Sequence, residues 1–333
     1  ANINPLGMPE SVKKAVQESI ADCIHYPDPY CRDLTAGISK KENVPEEYIL
    51  CGNGAADLIF RFVLAKRPKK ALILAPSFSE YEGALAVGEC EVSYYTLSNQ
   101  NGFRLTEDFL HQITDEVDTV VLCNPNNPTG RLIEPELLEK VAEQCQKTNT
   151  FLFLDECFLD FMEDGNERSM KKKLADNSSL LILKAFTKMY GIPGLRLGYC
   201  LCSDKELIEK IRSASQSWAV SVPAQAAGVA ALAETKFVEN TIQLIKQEQH
   251  YLLSELRNIG IPCYPPSANY IFFKEEQGIY ERLLKKGILI RSCHNYPGLE
   301  HGYFRIAIKS HEENEKLIQA IREVIKEGSI WQR

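Results

Sequence analysis

Between residues 70 and 155 the chain alternates short apolar runs with amphipathic stretches. ALILAP, EVSYYTL, TVVLCNP and TFLFLDE are separated by FSEYEGALAVG and by predicted helices at 106–113 and 134–147. Near-continuous apolar strands with helices between them predict an α/β fold, a mainly parallel sheet covered by helices on both faces. Ligands of such sheets bind beyond the carboxyl ends of the strands, where Asn127 and Asp155 fall. The pattern continues through LLILKAFTKMYGIPGLRLGYCLCSDK at 180–205, read as an apolar strand, a polar turn holding Lys188, a Gly/Pro-broken loop holding Arg196, and a second apolar strand.

Upstream, the polar, Pro/Gly-rich residues 1–9 precede an amphipathic helix near 10–24, the loop HYPDPY at 25–30 and a helix near 31–42. ILCGNGAADLIFRFVLA then reads as a short strand, a glycine turn and a helix that opens with Gly54, Ala55 and Ala56. Downstream come helices at 204–217 and 222–234 and a long helix over about 236–258 that bridges to a second unit. That unit has strands ANYIFFK, ILIRSC and YFRIAIKS, the helix IYERLLKKG, and a last helix opened by Ser310 and Glu313 at capping-box spacing. The division expected is an N-terminal arm and helix, 1–27, packing with the small domain, a large domain, 28–235, and a smaller α/β C-terminal domain, 236–333. A site between two lobes suits a cofactor.

Composition narrows the function classes. With 44% apolar residues the chain can bury a substantial core. A net charge of −7 leaves no strongly basic face for a nucleic acid, so no such partner is expected. The 11 cysteines are scattered and odd in number, and several, such as Cys123, Cys200 and Cys202, lie in apolar strands, which suits free thiols in a reducing cytoplasm. No apolar run reaches the roughly 18 residues of a membrane span, and no export pattern opens the chain, so a cytoplasmic protein without membrane association is expected. His294 and His301 belong to no HxxH or HExxH pattern and read as loop residues; no metal is expected.

Lys188 sits between two buried strands, not on an ordinary solvent face. Thr187 and Arg196 beside it offer a hydroxyl and a guanidinium suited to a phosphate dianion, and the helix start at Gly54 and Ala55 offers unpaired N–H groups. Taken singly, a surface lysine, a plain glycine turn and a loop-capping Asp155 would explain these residues. Taken with NPNNPTG at 124–130 and FLFLDE at 151–156, in that order upstream of the lysine, the chain resembles the fold-type-I pyridoxal-5'-phosphate (PLP) enzymes of the aminotransferase superfamily.

The resemblance implies PLP as cofactor. Lys188 would bond its aldehyde and afterwards move protons, and Asp155 would hold the ring nitrogen protonated. Gly54, Ala55, Thr187 and Arg196 would cradle the phosphate, Phe78 would stack on the ring, and Asn127 would reach O3' and the substrate carboxylate. Tyr26 would come from the partner chain of a homodimer to the neighbour's phosphate. Arg305 would grip the substrate α-carboxylate, and Arg291, a second arginine in the same lobe, suggests a substrate with two anionic groups; a structural ion pair is the ordinary alternative. Two positions depart from the pattern. Phe158 stands where many relatives have tyrosine, and Ala185 where they have a hydroxyl.

NINPLG at 2–7, YPDP at 26–29, GNGA at 52–55, PSFSEY at 76–81, KMYGIPGLRLGY at 188–199 and ILIRSCHNYPGL at 288–299 sharpen the resemblance. Together with the motifs above they are similar to the threonine-phosphate decarboxylases of cobalamin biosynthesis, close relatives of histidinol-phosphate aminotransferases. That likeness implies decarboxylation of a phosphorylated amino acid, with transamination of a compound such as histidinol phosphate as the alternative. It implies Arg291 as a substrate-phosphate ligand and Asn4 in a segment lining the pocket. The relatives also place a His-Gly-containing segment upstream of NINPLG, near the substrate phosphate.

Overall fold

The computed structural model describes residues 2–275 and 278–330; Ala1 and 331–333, the outermost residues of the expected arm and C-terminal domain, lie outside them. The helices are α1 (Glu10–Ser19), α2 (Arg32–Glu42), α3 (Ala55–Lys66), α4 (Glu80–Val87), α5 (Pro135–Lys147), the single turns α6 (Gly165–Arg168) and α7 (Phe186–Met189), α8 (Lys205–Ser213), α9 (Val222–Leu232), α10 (Thr235–Ile259), α11 (Ile279–Lys285) and α12 (His311–Ile330). The strands are β1 (Ile49–Gly52), β2 (Lys70–Ala75), β3 (Glu91–Thr96), β4 (Thr119–Cys123), β5 (Phe151–Asp155), β6 (Leu180–Ala185), β7 (Gly198–Cys202), β8 (Cys263–Tyr264), β9 (Tyr270–Lys274), β10 (Arg291–Ser292) and β11 (Tyr303–Ala307).

The first seven strands form one sheet in the order β1-β7-β6-β5-β4-β2-β3. The pairs β2–β3, β2–β4, β4–β5 and β5–β6 are parallel, and only β7 runs against its neighbours, so the expected mainly parallel sheet is found. Strands β4 to β7 are buried along their whole length because helices cover both faces. Successive side chains alternate between the two layers. Phe151, Phe153, Leu181 and Leu183 pack with α3, α4 and α8, whereas Leu152, Leu154, Leu180 and Ile182 join the larger core with α2, α5 and α9. The same alternation sends Asp155 to the first layer, where Tyr81 of α4 meets it, and Glu156 to the second.

The second sheet is antiparallel, ordered β10-β11-β9-β8. Its buried residues, Tyr270 to Phe273 and Phe304 among them, are continuous with the core on the α2/α5/α9 side of the first sheet. Helix α10 spans the gap as expected. Thr241 near its start contacts the N-terminal arm, while Leu252 and Leu256 pack in the second unit. The capping box at Ser310 forms, with Glu313 accepting from the Ser310 backbone N–H at 3.4 Å.

Several expectations are corrected. Residues 106–113 form a 3-10 helix, Glu107–Gln112, of which only Phe109 is buried. The helix expected over 204–217 stops at Ser213, because the polar run from Ser215 to Ser217 has no apolar side to bury. ILIRSC contributes only two strand residues, and the two-residue β8 was not anticipated. Helix α1 packs mainly on α9, where Ala224, Ala227, Gly228 and Ala231 give a face of small residues that lets neighbouring helices approach closely, while the arm ahead of it reaches the small unit at Thr241.

A buried charge cluster lies behind the lysine strand. Lys184 pairs with Asp160 at 2.8 Å, Lys171 with Glu42 at 2.7 Å, and Tyr199 donates to Glu42 at 2.6 Å. Burial would raise the Glu42 carboxyl, but Lys184 and Lys171 overcome it and hold it down to about 2. A depressed carboxylate contributes stability that is complete above its unfolded value and lost as pH falls toward the folded one. Glu42→Gln is therefore expected to destabilise the fold at neutral pH by about 3–5 kcal/mol and to flatten the loss of stability between about pH 5 and pH 3, as read by urea unfolding. Parallel pH curves for the two proteins would contradict this.

Candidate active site

The carboxyl ends of β4, β5 and β6 lie side by side, with Cys123 opposite Asp155 and Asp155 opposite Leu183 in register. A cavity opens over them, lined by Ala55, Phe78, Asn127, Asp155, Phe158, Ala185, Thr187, Lys188 and Arg196, together with Ala56, Ile59, Cys123 and Cys157. Residues scattered over more than a hundred positions thus face one space.

Asp155 is 5% exposed, and both its oxygens are held. Oδ2 accepts from the Tyr81 hydroxyl at 2.6 Å and Oδ1 from the Cys157 N–H at 2.9 Å. Burial pushes its carboxyl above the ordinary value, against those hydrogen bonds and the nearby Lys188. A cationic group brought against it would reverse that cost.

Lys188 stands on the single turn α7, directly after β6, with its ammonium 5.9 Å over the Phe158 ring. Burial lowers its pKa, and the charges of Arg305 and Arg196 add to this against Cys157 and Asp155. Lys184, four residues earlier on β6 itself, behaves oppositely. Burial would lower it, but Asp160, Glu42 and Glu156 hold it well above the ordinary lysine value. Of these two lysines, Lys188 is the one whose surroundings disfavour its charged form.

Opposite the lysine, Gly54 caps α3 at φ +89°, a backbone conformation that favours glycine. A Cβ there would fall 2.7 Å from Arg196 Nη2, and one at Gly198 would fall 2.7 Å from the Ala55 nitrogen. The two glycines therefore keep open a concavity bounded by the start of α3, the Arg196 guanidinium and Thr187. Its donor set, a helix N-terminus with a guanidinium and a hydroxyl, suits a phosphate dianion. With an amine and a buried carboxylate in the same cavity, these residues fit the PLP expected from the sequence.

Arg305, on β11, donates through Nη1 to Asn127 Oδ1 and lies 5.3 Å over the Tyr270 ring. Its Nε is buried without a partner in the protein. Arg291 faces it directly across the β10–β11 pair, so both guanidinium stems leave the same face of the sheet. Arg291 is exposed, with Nη2 3.1 Å from Asn295 Oδ1, and has no carboxylate partner among the described residues.

Two expected residues stand elsewhere. Tyr26 is 78% exposed and stacks on Trp218 at 4.4 Å, outside the cavity of its own chain. Asn4 is held by the protein itself. Its amide donates to the Met189 carbonyl at 2.6 Å and to Thr241 Oγ1 at 2.7 Å, its Oδ1 accepts from Leu6, and its own N–H donates to the Lys188 carbonyl at 3.0 Å. Asn4 anchors the arm under the lysine turn.

Tyr81 and Tyr270 were missed. For Tyr81 a signal existed, since it follows Phe78 by three residues at a helix start and so shares its face; the two rings meet edge to face at 5.6 Å. Tyr270 carried none. His294 and His301 stack on one another, and among the described residues no group of His, Cys, Asp and Glu could hold a metal ion. Nor is any described helix long and apolar enough to cross a membrane. The 11 cysteines are unpaired.

Comparison with known proteins agrees with this geometry. The chain is 39% identical to threonine-phosphate decarboxylase of Salmonella typhimurium over 98% of its own length and 90% of that protein. It is 32% identical to the adenosylcobalamin biosynthesis bifunctional protein CobDQ of Leptospira interrogans, over 97% of this chain and 38% of that one. Histidinol-phosphate aminotransferase from Clostridium acetobutylicum superposes with a TM-score of 0.92 at 32% identity, covering 97% of both chains. The family model for aminotransferase class I and II matches residues 1–321, and the chain belongs to that family.

Proposed function

We propose that the protein is a PLP-dependent carboxy-lyase that converts L-threonine O-3-phosphate to (R)-1-amino-2-propanol O-2-phosphate in cobalamin biosynthesis. The observation that carries the substrate class is the pairing of Arg291 with Arg305 at one register position: the two line a common cavity, and Arg305 is bonded to Asn127 of the Lys188–Asp155 cavity. Two unneutralised guanidiniums at cross-strand distance suit a small molecule with two anionic groups.

Bound PLP supplies an electron-accepting ring for the bond broken at the substrate α-carbon. The chain's own residues do the rest. Gly54, Ala55, Thr187 and Arg196 would hold the cofactor phosphate, and Phe78 would flank the ring. Asp155, held by Tyr81 and the Cys157 N–H, keeps the charge that a protonated ring nitrogen needs. Asn127 and Arg305, already bonded to each other, take the carboxylate end of the substrate, and Arg291 takes its phosphate. Lys188, with its lowered pKa, would deliver the proton that takes the place of the departing carboxylate on the α-carbon.

The two sheets support a division into a large unit, 28–235, and a small one, 236–333, with the substrate between them. Tyr26 and Trp218, with the exposed side chains of Ile20, Ile24 and Tyr30, support a homodimer in which each Tyr26 reaches the neighbour's cofactor phosphate. The unpaired thiols fit a cytoplasmic enzyme.

Incubation with threonine phosphate tests the reading. Release of carbon dioxide without an oxo-acid supports it. Consumption of 2-oxoglutarate with histidinol phosphate would favour an aminotransferase instead, the activity named for the Clostridium relative. Arg291→Ala is expected to weaken phosphorylated substrates by about 2–5 kcal/mol while sparing unphosphorylated ones. Equal losses for both would make Arg291 scaffold.

A further inference from the structure

We infer that Tyr270 is a positioning residue that sets the pose of Arg305 toward the substrate carboxylate. Tyr270 is 0% exposed at the start of β9, paired with Ala307 of β11, two residues beyond Arg305. It touches three parts of the site at once. Its hydroxyl donates to the Asn126 carbonyl at 2.8 Å, next to the residue whose side chain accepts from Arg305. Its ring lies 5.3 Å below the Arg305 guanidinium, within cation–π range. Its edge meets the Phe158 ring at 5.1 Å and 82°, at the cavity wall under Lys188.

The loop approaches this ring closely because it lacks a side chain at Gly130. A Cβ there would fall 2.7 Å from Pro266 Cβ and 3.5 Å from Tyr270 Cε2. The Gly130 carbonyl accepts from the Ser267 N–H at 2.7 Å, so the 124–130 loop is also joined to the segment just ahead of Tyr270.

A guanidinium at the end of a flexible stem has many poses, and a bidentate grip needs one. Asn127 fixes Nη1, and the aromatic face beneath fixes the plane. Nε is buried without a protein partner, so the hold on Nη1 and the ring beneath are what fix the group. The hydroxyl of Tyr270 holds the first of these constraints by pinning the backbone at Asn126, and the ring supplies the second. No proton or electron passes through Tyr270; its effect reaches the substrate only through Arg305.

This inference rests on the reading of Arg305 as the carboxylate ligand, and the test separates the two. The probes are 3-phosphooxybutanoate, which carries carboxylate and phosphate but no amine to react, and isopropyl phosphate, which lacks the carboxylate. Calorimetric titration of the PLP-loaded enzyme gives a Kd for each, and their ratio measures carboxylate discrimination. Tyr270→Phe keeps the ring and loses the hydroxyl, and is expected to reduce the ratio about threefold to tenfold, with isopropyl phosphate binding unchanged. Tyr270→Leu, which removes the ring as well, should reduce it further, by about threefold to thirtyfold beyond Tyr270→Phe. Arg305→Ala should abolish the discrimination. If Arg305→Ala abolishes it and Tyr270→Phe leaves it intact, the role of Tyr270 is overturned and that of Arg305 stands. Equal weakening of both probes in Tyr270→Phe would likewise overturn it, by making the residue general scaffold. If Arg305→Ala itself leaves the ratio unchanged, the carboxylate reading of Arg305 falls, and the inference with it.

Discussion

Lys188→Ala is expected to abolish the visible absorbance band of protein-bound PLP and to lower turnover about a thousandfold or more. The size follows from losing two roles in one side chain, the covalent hold on the cofactor aldehyde and the proton carrier at the α-carbon. Burial and the charges of Arg305 and Arg196 make this amine easy to deprotonate. No neighbour can replace it cheaply, because Lys184 is held charged by Asp160 and Glu42 on the other face of the strand. The measurement is the spectrum of the reconstituted variant before and after borohydride. A band that persists and is still bleached by borohydride would assign the covalent bond to a different lysine.

Asp155→Asn is the second large effect, and it cuts in two directions. The amide has no charge to set against a protonated ring nitrogen, so turnover is expected to fall by about 2–5 kcal/mol, thirtyfold to several thousandfold. Yet the carboxyl's folded-state pKa lies above its unfolded value, because burial penalises the anion. A raised pKa means that the folded form loses stability as pH rises past the unfolded value, so the neutral amide should tolerate neutral pH better. Without cofactor, Asp155→Asn is expected to be more stable than the parent at pH 7, and the gap should close near pH 3 to 4. Urea unfolding of both proteins at the two pH values measures it. A variant less stable at neutral pH would mean that the Tyr81 and Cys157 hydrogen bonds outweigh the cost of burying the charge.

The parts of this site that were legible in the sequence share a physical signature. Asp155, Asn127 and Lys188 follow apolar runs too continuous for any surface element, and a polar residue at the end of a fully buried strand has few places to go except a ligand. Gly54 announced a backbone constraint, and Arg196 followed a Gly/Pro-broken loop. Pairings made through space left no such trace. Tyr270 reads as one more apolar position in ANYIFFK, since nothing local reveals that its hydroxyl meets a loop 144 residues away. Asn4 looked available because its partners, Met189 and Thr241, are 185 and 237 residues distant. The packing of α1 on α9 depended on a face of small side chains that looks unremarkable in a helix of high alanine content. The short 3-10 segments lack the length over which periodicity becomes readable.

The alternation of side chains along β5 limits how this enzyme can vary. Substitution at position 155 changes one group, but loss of a single codon anywhere from 151 to 154 would reverse the parity of every residue before it. Phenylalanines and leucines would trade layers, and the strand would keep its carboxylate only by surrendering its core. Loss of two codons would restore parity and shorten the strand by about 6.6 Å, drawing Asp155 away from Tyr81. In a library that samples length changes, this strand should tolerate none.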